Sequence, residues 1–169
     1  EVDLRSRRVV LDPSVQPDLN ALTKLAGSND FSIVDRDLND RLWLVAIGSD
    51  QQGYEYWLWN RNQKQHTKLF SVQPRLDDYD LAPMESLDLK ARDGRRLPAY
   101  LTRTPQADKE PKPLVLLVHG GPQLRDYWGF NGMHQLLANR GYHAMSVNYR
   151  GSTGFGKAHL LAGEGEWYG

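Results

Sequence analysis

A chain of 169 residues, 40% hydrophobic and 25% charged, has enough apolar material for a folded core and lacks the composition of a disordered tract. Its 21 Lys and Arg balance 21 Asp and Glu, so no bulk field draws it to nucleic acid or to an anionic membrane surface, and no apolar run approaches the ~20 residues that span a bilayer. With no cysteine there are no disulfides, thiolate ligands or thiolate nucleophile, which leaves a cytoplasmic and a periplasmic location both open. Glu1 is not a methionine and is not expected to be the native start; no basic-then-apolar leader is visible at this end.

Residues 17–26 read as a short connecting helix. Pro17 suits a first turn, Leu19, Leu22 and Leu25 recur at helical spacing, and Gly27 stands where a C-terminal cap belongs. From 31 to 70 the period changes to that of strands, with runs at 31–35, 41–47, 54–59 and 66–70 separated by Asp, Asn and Gly turns, the pattern of an antiparallel meander. Its second run sets Leu42, Leu44 and Ala46 against Trp43, Val45 and Ile47, and its third sets Tyr54, Tyr56 and Leu58 against Trp57 and Trp59. Strands apolar on both sides need cover on both faces. One blade of a β-propeller, sandwiched between neighbouring blades, meets that need, and the neighbours lie outside these 169 residues, so a truncated propeller is expected.

Residues 71–84 carry Pro74, Pro83 and an acidic cluster and read as a linker. The expected boundary separates residues 1–82, a propeller remnant with its linker, from residues 83–169. Beyond that boundary, alternating runs at 85–91 and 97–102 flank Asp93-Gly94, a strong hairpin signal. Residues 114–118 are wholly apolar, as in central strands buried on both faces. A helix over 130–140 follows, with Phe130, Met133 and Leu137 on its stripe and Gly141 as cap, and then a strand over 143–149. Strand, helix, strand with short joins predicts a βαβ unit and a parallel pair.

The run 114–118 leads straight into His119-Gly120-Gly121-Pro122. Glycines at that place serve either a plain turn or a loop whose backbone N–H groups approach a ligand without a Cβ in the way. The strings LAPMESLDLKARDGRRLPAYLT, LVLLVHGGP and RGYHAMSVNYRGSTGFGKAHLLAGEGEWYG resemble the entry to the catalytic domain of prolyl oligopeptidase family enzymes, in particular the acylaminoacyl-peptidase branch. The resemblance covers residues 81–169, with looser agreement at the blade. It implies an α/β fold, the N-terminal part of an α/β-hydrolase domain preceded by the last antiparallel blade of a β-propeller. It also implies hydrolysis of peptide bonds in short peptides by a Ser-Asp-His triad, as in an acylaminoacyl-peptidase or a dipeptidyl-peptidase, with a peptide substrate and no metal or cofactor; a homo-oligomeric parent is left open. Gly120 and Gly121 become the candidates for the oxyanion donor, with His119 as a supporting side chain.

None of the nine serines lies in a G-x-S-x-G frame, and in this fold the acid and base follow the serine along the chain. The triad is therefore expected beyond residue 169, the 169 residues alone are expected to be inactive, and His119 is not the catalytic base. An esterase on the same fold and a non-catalytic binding fragment stand as alternatives. A remote one is a nucleotide-binding loop at Gly151–Ala158, which has the G-x-x-x-x-G-K spacing but puts Ala158 where a hydroxyl must hold Mg²⁺. His66, His134, His143 and His159 lack metal-ligand spacing and read as structural or surface residues. Arg150 is expected in an ion pair with a buried carboxylate or along a cleft, Trp128 and Trp167 as packing near the site, and Glu164 and Glu166 in solvent.

Overall fold

Polar turns and apolar runs between residues 30 and 71 fold as four strands, β1 (Asp30–Arg36), β2 (Leu42–Gly48), β3 (Glu55–Asn60) and β4 (Gln65–Ser71), each antiparallel to the next in the order β1-β2-β3-β4. The structure, a computed structural model, describes residues 3–76, 78–105, 111–121 and 123–166. They divide into two units, Arg8–Leu81 and the residues from Ala82 onward joined by residues 3–7.

In the first unit the turns are built by short acidic and amide side chains. Asp37 Oδ1 accepts from the N–H groups of Arg41 and Leu42 at 2.6 and 2.8 Å, and Asn60 Oδ1 accepts from those of Asn62 and Gln63, both at 3.1 Å. The helix α1 (Gln16–Ala26) ends at Gly27, whose φ of +63° suits glycine. Contrary to the expectation of a mere connector, α1 is part of the core. Leu22 and Ala26 pack with Phe31, Trp43, Val45, Ile47 and Trp59, so the helix covers the β2 face that carries Trp43. Each large apolar side chain buried there contributes about 1.5–3 kcal/mol. On the opposite face Leu44, Tyr56 and Leu58 stay half-buried and Phe70 stacks on Tyr56 with centroids 5.1 Å apart.

One charge from α1 goes into this core. Asp18 is 1% exposed and accepts from Trp59 Nε1 at 2.9 Å, Arg61 Nε at 3.1 Å and Lys64 Nζ at 2.5 Å. Burial pushes its carboxyl pKa up, but the hydrogen bonds from Lys64, Trp59 and Arg61 outweigh burial and hold it below the usual carboxylate range.

In the second unit β5 (Met84–Lys90) and β6 (Arg96–Thr102) form the hairpin around Gly94, whose φ is +80°. β7 (Leu114–Leu117), α2 (Gly132–Asn139) and β8 (His143–Val147) form the strand, helix, strand unit, with β7 parallel to β8 and α2 packed on β8. The sheet order is β5-β6-β8-β7. Within the described residues the apolar run 114–118 does not take the central position expected of it. Among the described residues β7 pairs only with β8 and is an edge strand, and Leu114 and Leu116 are 50% and 54% exposed. The apolar stripe of α2 is also turned from its expected direction. Met133 is exposed, and the fully buried residues are His134 and Ala138, because Thr102 and Ser146 offer hydroxyls to the imidazole. A short α3 (Lys157–Leu161) completes the unit.

Candidate active site

Because β7 and β8 are parallel neighbours, the loops leaving their carboxyl ends lie side by side, the usual location of ligand sites in open α/β sheets. The first loop is 118–121, and Pro122 of the predicted motif lies outside the described residues. The second runs from Asn148 to Gly156. Between them the imidazole of His119 stacks on the ring of Tyr149, with centroids 4.5 Å apart and planes inclined by 18°.

Hydrogen bonds define the state of that imidazole. His119 Nδ1 lies 2.8 Å from Gly120 O, and a carbonyl only accepts, so Nδ1 carries the proton. Nε2 is then the acceptor for the Ser152 hydroxyl at 2.9 Å. The Tyr149 phenol donates to His119 O at 2.8 Å and has Gly120 O at 3.5 Å. Tyr149 is itself held, since its carbonyl accepts from His159 Nε2 at 2.9 Å and from the Ser152 N–H at 3.0 Å.

The two glycines differ. Gly121 has φ +135°, and a Cβ there would stand 2.8 Å from Gln123 N and 3.0 Å from Leu124 N, so this backbone requires glycine. Gly120 is exposed, and a Cβ on it meets nothing within 4 Å. Below the loop Asp126 is fixed through its backbone by Asn148, whose Oδ1 accepts from Asp126 N at 2.8 Å. Burial raises the Asp126 carboxyl above its ordinary pKa, opposed by the neighbouring His119 and a hydrogen bond with Ser146.

No protein-family model matches the chain. Its sequence is 43% identical over 173 residues to dipeptidyl aminopeptidase BIII of Pseudoxanthomonas mexicana, an alignment covering 98% of this chain and 25% of that protein. It is 35% identical over 188 residues to dipeptidyl peptidase family member 6 of Caenorhabditis elegans, covering 99% of this chain and 25% of that one. The chain is homologous to peptidases of the prolyl oligopeptidase family. It spans about a quarter of the length of these curated relatives. The fold is shared as well: an acylaminoacyl peptidase of Pyrococcus horikoshii matches with a TM-score of 0.61 at 23% identity, over 76% of this chain and 20% of that structure.

In this chain the pair of Ser152 and His119 does not make a nucleophile. Ser152 is completely buried, and the second nitrogen of His119 faces a carbonyl where a triad base faces a carboxylate. At the loop 151–158 the first three N–H groups are committed within the chain. A phosphate loop turns its N–H groups to the ligand, whereas here Gly151 N donates to His159 O, Ser152 N to Tyr149 O and Thr153 N to Leu124 O. Its glycine at 154 makes room for the Arg125 guanidinium, which lies 4.1 Å from the Phe155 ring.

Arg150 pairs with Asp93 at 2.9 Å, and that carboxylate is 41% exposed, not buried as expected. The same arginine lines a cleft of about 310 Å³ with Tyr149, Phe155, His159, Arg96 and Leu97. Trp128 is packing, with Nε1 donating to Met84 O at 2.8 Å and the Arg5 guanidinium 3.3 Å over its ring; Trp167 lies outside the described residues. Glu164 and Glu166 are exposed. Sequence reasoning missed Tyr149 as a partner of His119. The available signal was the βαβ pattern, which brings residues 119 and 149 to the same end of two parallel strands.

Proposed function

We propose that this chain is a segment of a serine peptidase, joining the last blade of a β-propeller (the first unit) to the first strands of an α/β-hydrolase domain (the second). The nucleophile, acid and base follow downstream of residue 169, and the substrates are short peptides. The loop 119–121 provides the backbone N–H that stabilises the oxyanion, from Gly120 or Gly121, and His119 supports it through its bond to Gly120 O. The observation that carries the proposal is this loop at the carboxyl end of β7, in a chain homologous over 98% of its length to a dipeptidyl aminopeptidase. The exposed apolar face of β7 adds support, since Leu114 and Leu116 have the character of strand residues that a further layer covers.

Such a donor acts because negative charge grows on the carbonyl oxygen only as the tetrahedral intermediate forms. The N–H then binds the transition state more tightly than the substrate. The complete protein carrying this segment should hydrolyse dipeptidyl or acylaminoacyl substrates and react with a fluorophosphonate probe, while the 169-residue chain should do neither. Stoichiometric labelling of the 169-residue chain, or inertness of the folded complete protein to peptides and probe alike, would sink the proposal.

A further inference from the structure

We propose that Tyr149 and Ser152 are positioning residues for the oxyanion loop, a clamp that holds His119 and two carbonyls so that the Gly120 and Gly121 N–H groups face the substrate side together. The inference rests on the reading of residues 119–121 as the oxyanion loop and concerns what aims it.

The geometry follows from peptide planarity. In a trans peptide the C=O and the N–H point in opposite directions. His119 O faces the Tyr149 hydroxyl at 2.8 Å, so the Gly120 N–H points away from the phenol. Gly120 O is 2.8 Å from the His119 Nδ1–H and 3.5 Å from the same phenol, so the Gly121 N–H points away from it too. Two consecutive N–H groups therefore share one side, an arrangement that attracts negative charge. Among the described residues neither donates to another protein group. Both glycines are exposed.

Each contact removes one freedom of the loop. The stacking of Tyr149 on His119 and the bond from the Ser152 hydroxyl to Nε2 set the plane of the imidazole. With Nε2 occupied as an acceptor, the ring proton stays on Nδ1, where it holds Gly120 O. Ser152 is completely buried and makes its bond without competition from water. The carbonyl of Tyr149, tied to His159 and to the Ser152 N–H, fixes the base of the clamp. Glycines free of side-chain restraint would otherwise sample many orientations, and an N–H that must first be oriented stabilises the transition state less.

The test uses the complete protein carrying this segment. Tyr149→Phe keeps the ring stack and deletes the hydroxyl. Its kcat should fall about tenfold or more with KM within about twofold, and a peptide boronate, which imitates the tetrahedral intermediate, should bind more weakly in proportion to the loss in kcat/KM. Ser152→Ala should lower kcat in the same sense and shift the His119 ring proton toward a mixture of Nδ1 and Nε2, read from the imidazole ¹⁵N shifts. Tyr127→Phe, an exposed phenol that takes no part in these contacts, should leave both constants unchanged.

An unchanged kcat in folded Tyr149→Phe would overturn the clamp while leaving the peptidase reading intact, provided Gly121→Val still depresses turnover. Where Tyr149→Phe does not fold, an unshifted His119 tautomer and normal kcat in Ser152→Ala would overturn it equally. Complete protein that hydrolyses no peptide removes the oxyanion reading and the clamp with it.

Discussion

Protonation of His134 should destabilise the second unit in acid by an amount the structure sets. The residue is completely buried, with Nδ1 3.0 Å from Thr102 Oγ1 and Nε2 2.9 Å from Ser146 Oγ. No carboxylate contacts the ring in these bonds, and burial pulls its pKa from the ordinary 6.5 down to about 4. The unfolded chain therefore takes up this proton at a higher pH than the folded one. Stability is full above about pH 6.5, falls as the pH drops, and levels off below about pH 4. At ~1.36 kcal/mol per pH unit, the gap amounts to about 3 kcal/mol in all, of which about 2 kcal/mol is already lost at about pH 5.

The assay is urea unfolding at about pH 7.5 and about pH 5, for the native sequence and for His134→Gln. Glutamine has both a donor and an acceptor for the two hydroxyls and does not titrate in this range. The native sequence should lose about 2 kcal/mol more than the variant between the two pH values, because other carboxylates titrate in both proteins and cancel. Equal losses, or an NMR titration of His134 with its midpoint near 6.5, would refute the reasoning.

Gly121→Val in the complete protein should lower kcat by about 10² to 10³ with little change in KM. Gly120→Ala, whose Cβ meets nothing within 4 Å, should melt like the native protein, so any fall in its turnover would report on the approach of substrate. Melting curves must accompany both. Asp18→Ala strands the buried ends of Trp59 and Arg61 and should cost the first unit about 3 kcal/mol in urea unfolding; a loss within error would show that the network contributes nothing net. Millimolar ATP with Mg²⁺ should leave the melting temperature unchanged, since the N–H groups of residues 151–153 are spent on their own chain and Ala158 has no hydroxyl for Mg²⁺. A saturable rise abolished by Lys157→Ala would contradict that.

Much of the fold could be read from periodicity. All eight strands lie within a residue or two of their expected positions, because alternation and Asp, Asn and Gly turns are local signals. What escaped was the partner of each face. The stripe Leu19, Leu22, Leu25 announces an apolar helix face but not that it meets Trp43 and Trp59. The run 114–118 announces two apolar faces but cannot say that β7 has one neighbour among the described residues. On α2 the buried position fell to His134 instead of Met133, since a polar residue enters a core when hydroxyls across 12 and 32 residues of sequence satisfy it. At the candidate site the positive φ of Gly121 and the close approach of Gln123 and Leu124 call for glycine there, whereas Gly120 shows neither requirement. For Tyr149 and Ser152 the βαβ pattern indicates only the same strand end as His119, while the stacking and hydroxyl bonds depend on the register of β7 and β8.

The most direct measurement is a crystal structure of the complete protein carrying this segment after reaction with a fluorophosphonate. A phosphonyl oxygen on a downstream serine should lie about 2.7–3.1 Å from the backbone nitrogen of Gly120 or Gly121, with His119 still bonded to Ser152 and stacked on Tyr149. An adduct whose oxygens all face away from residues 119–121 would contradict the assignment of this loop to the oxyanion.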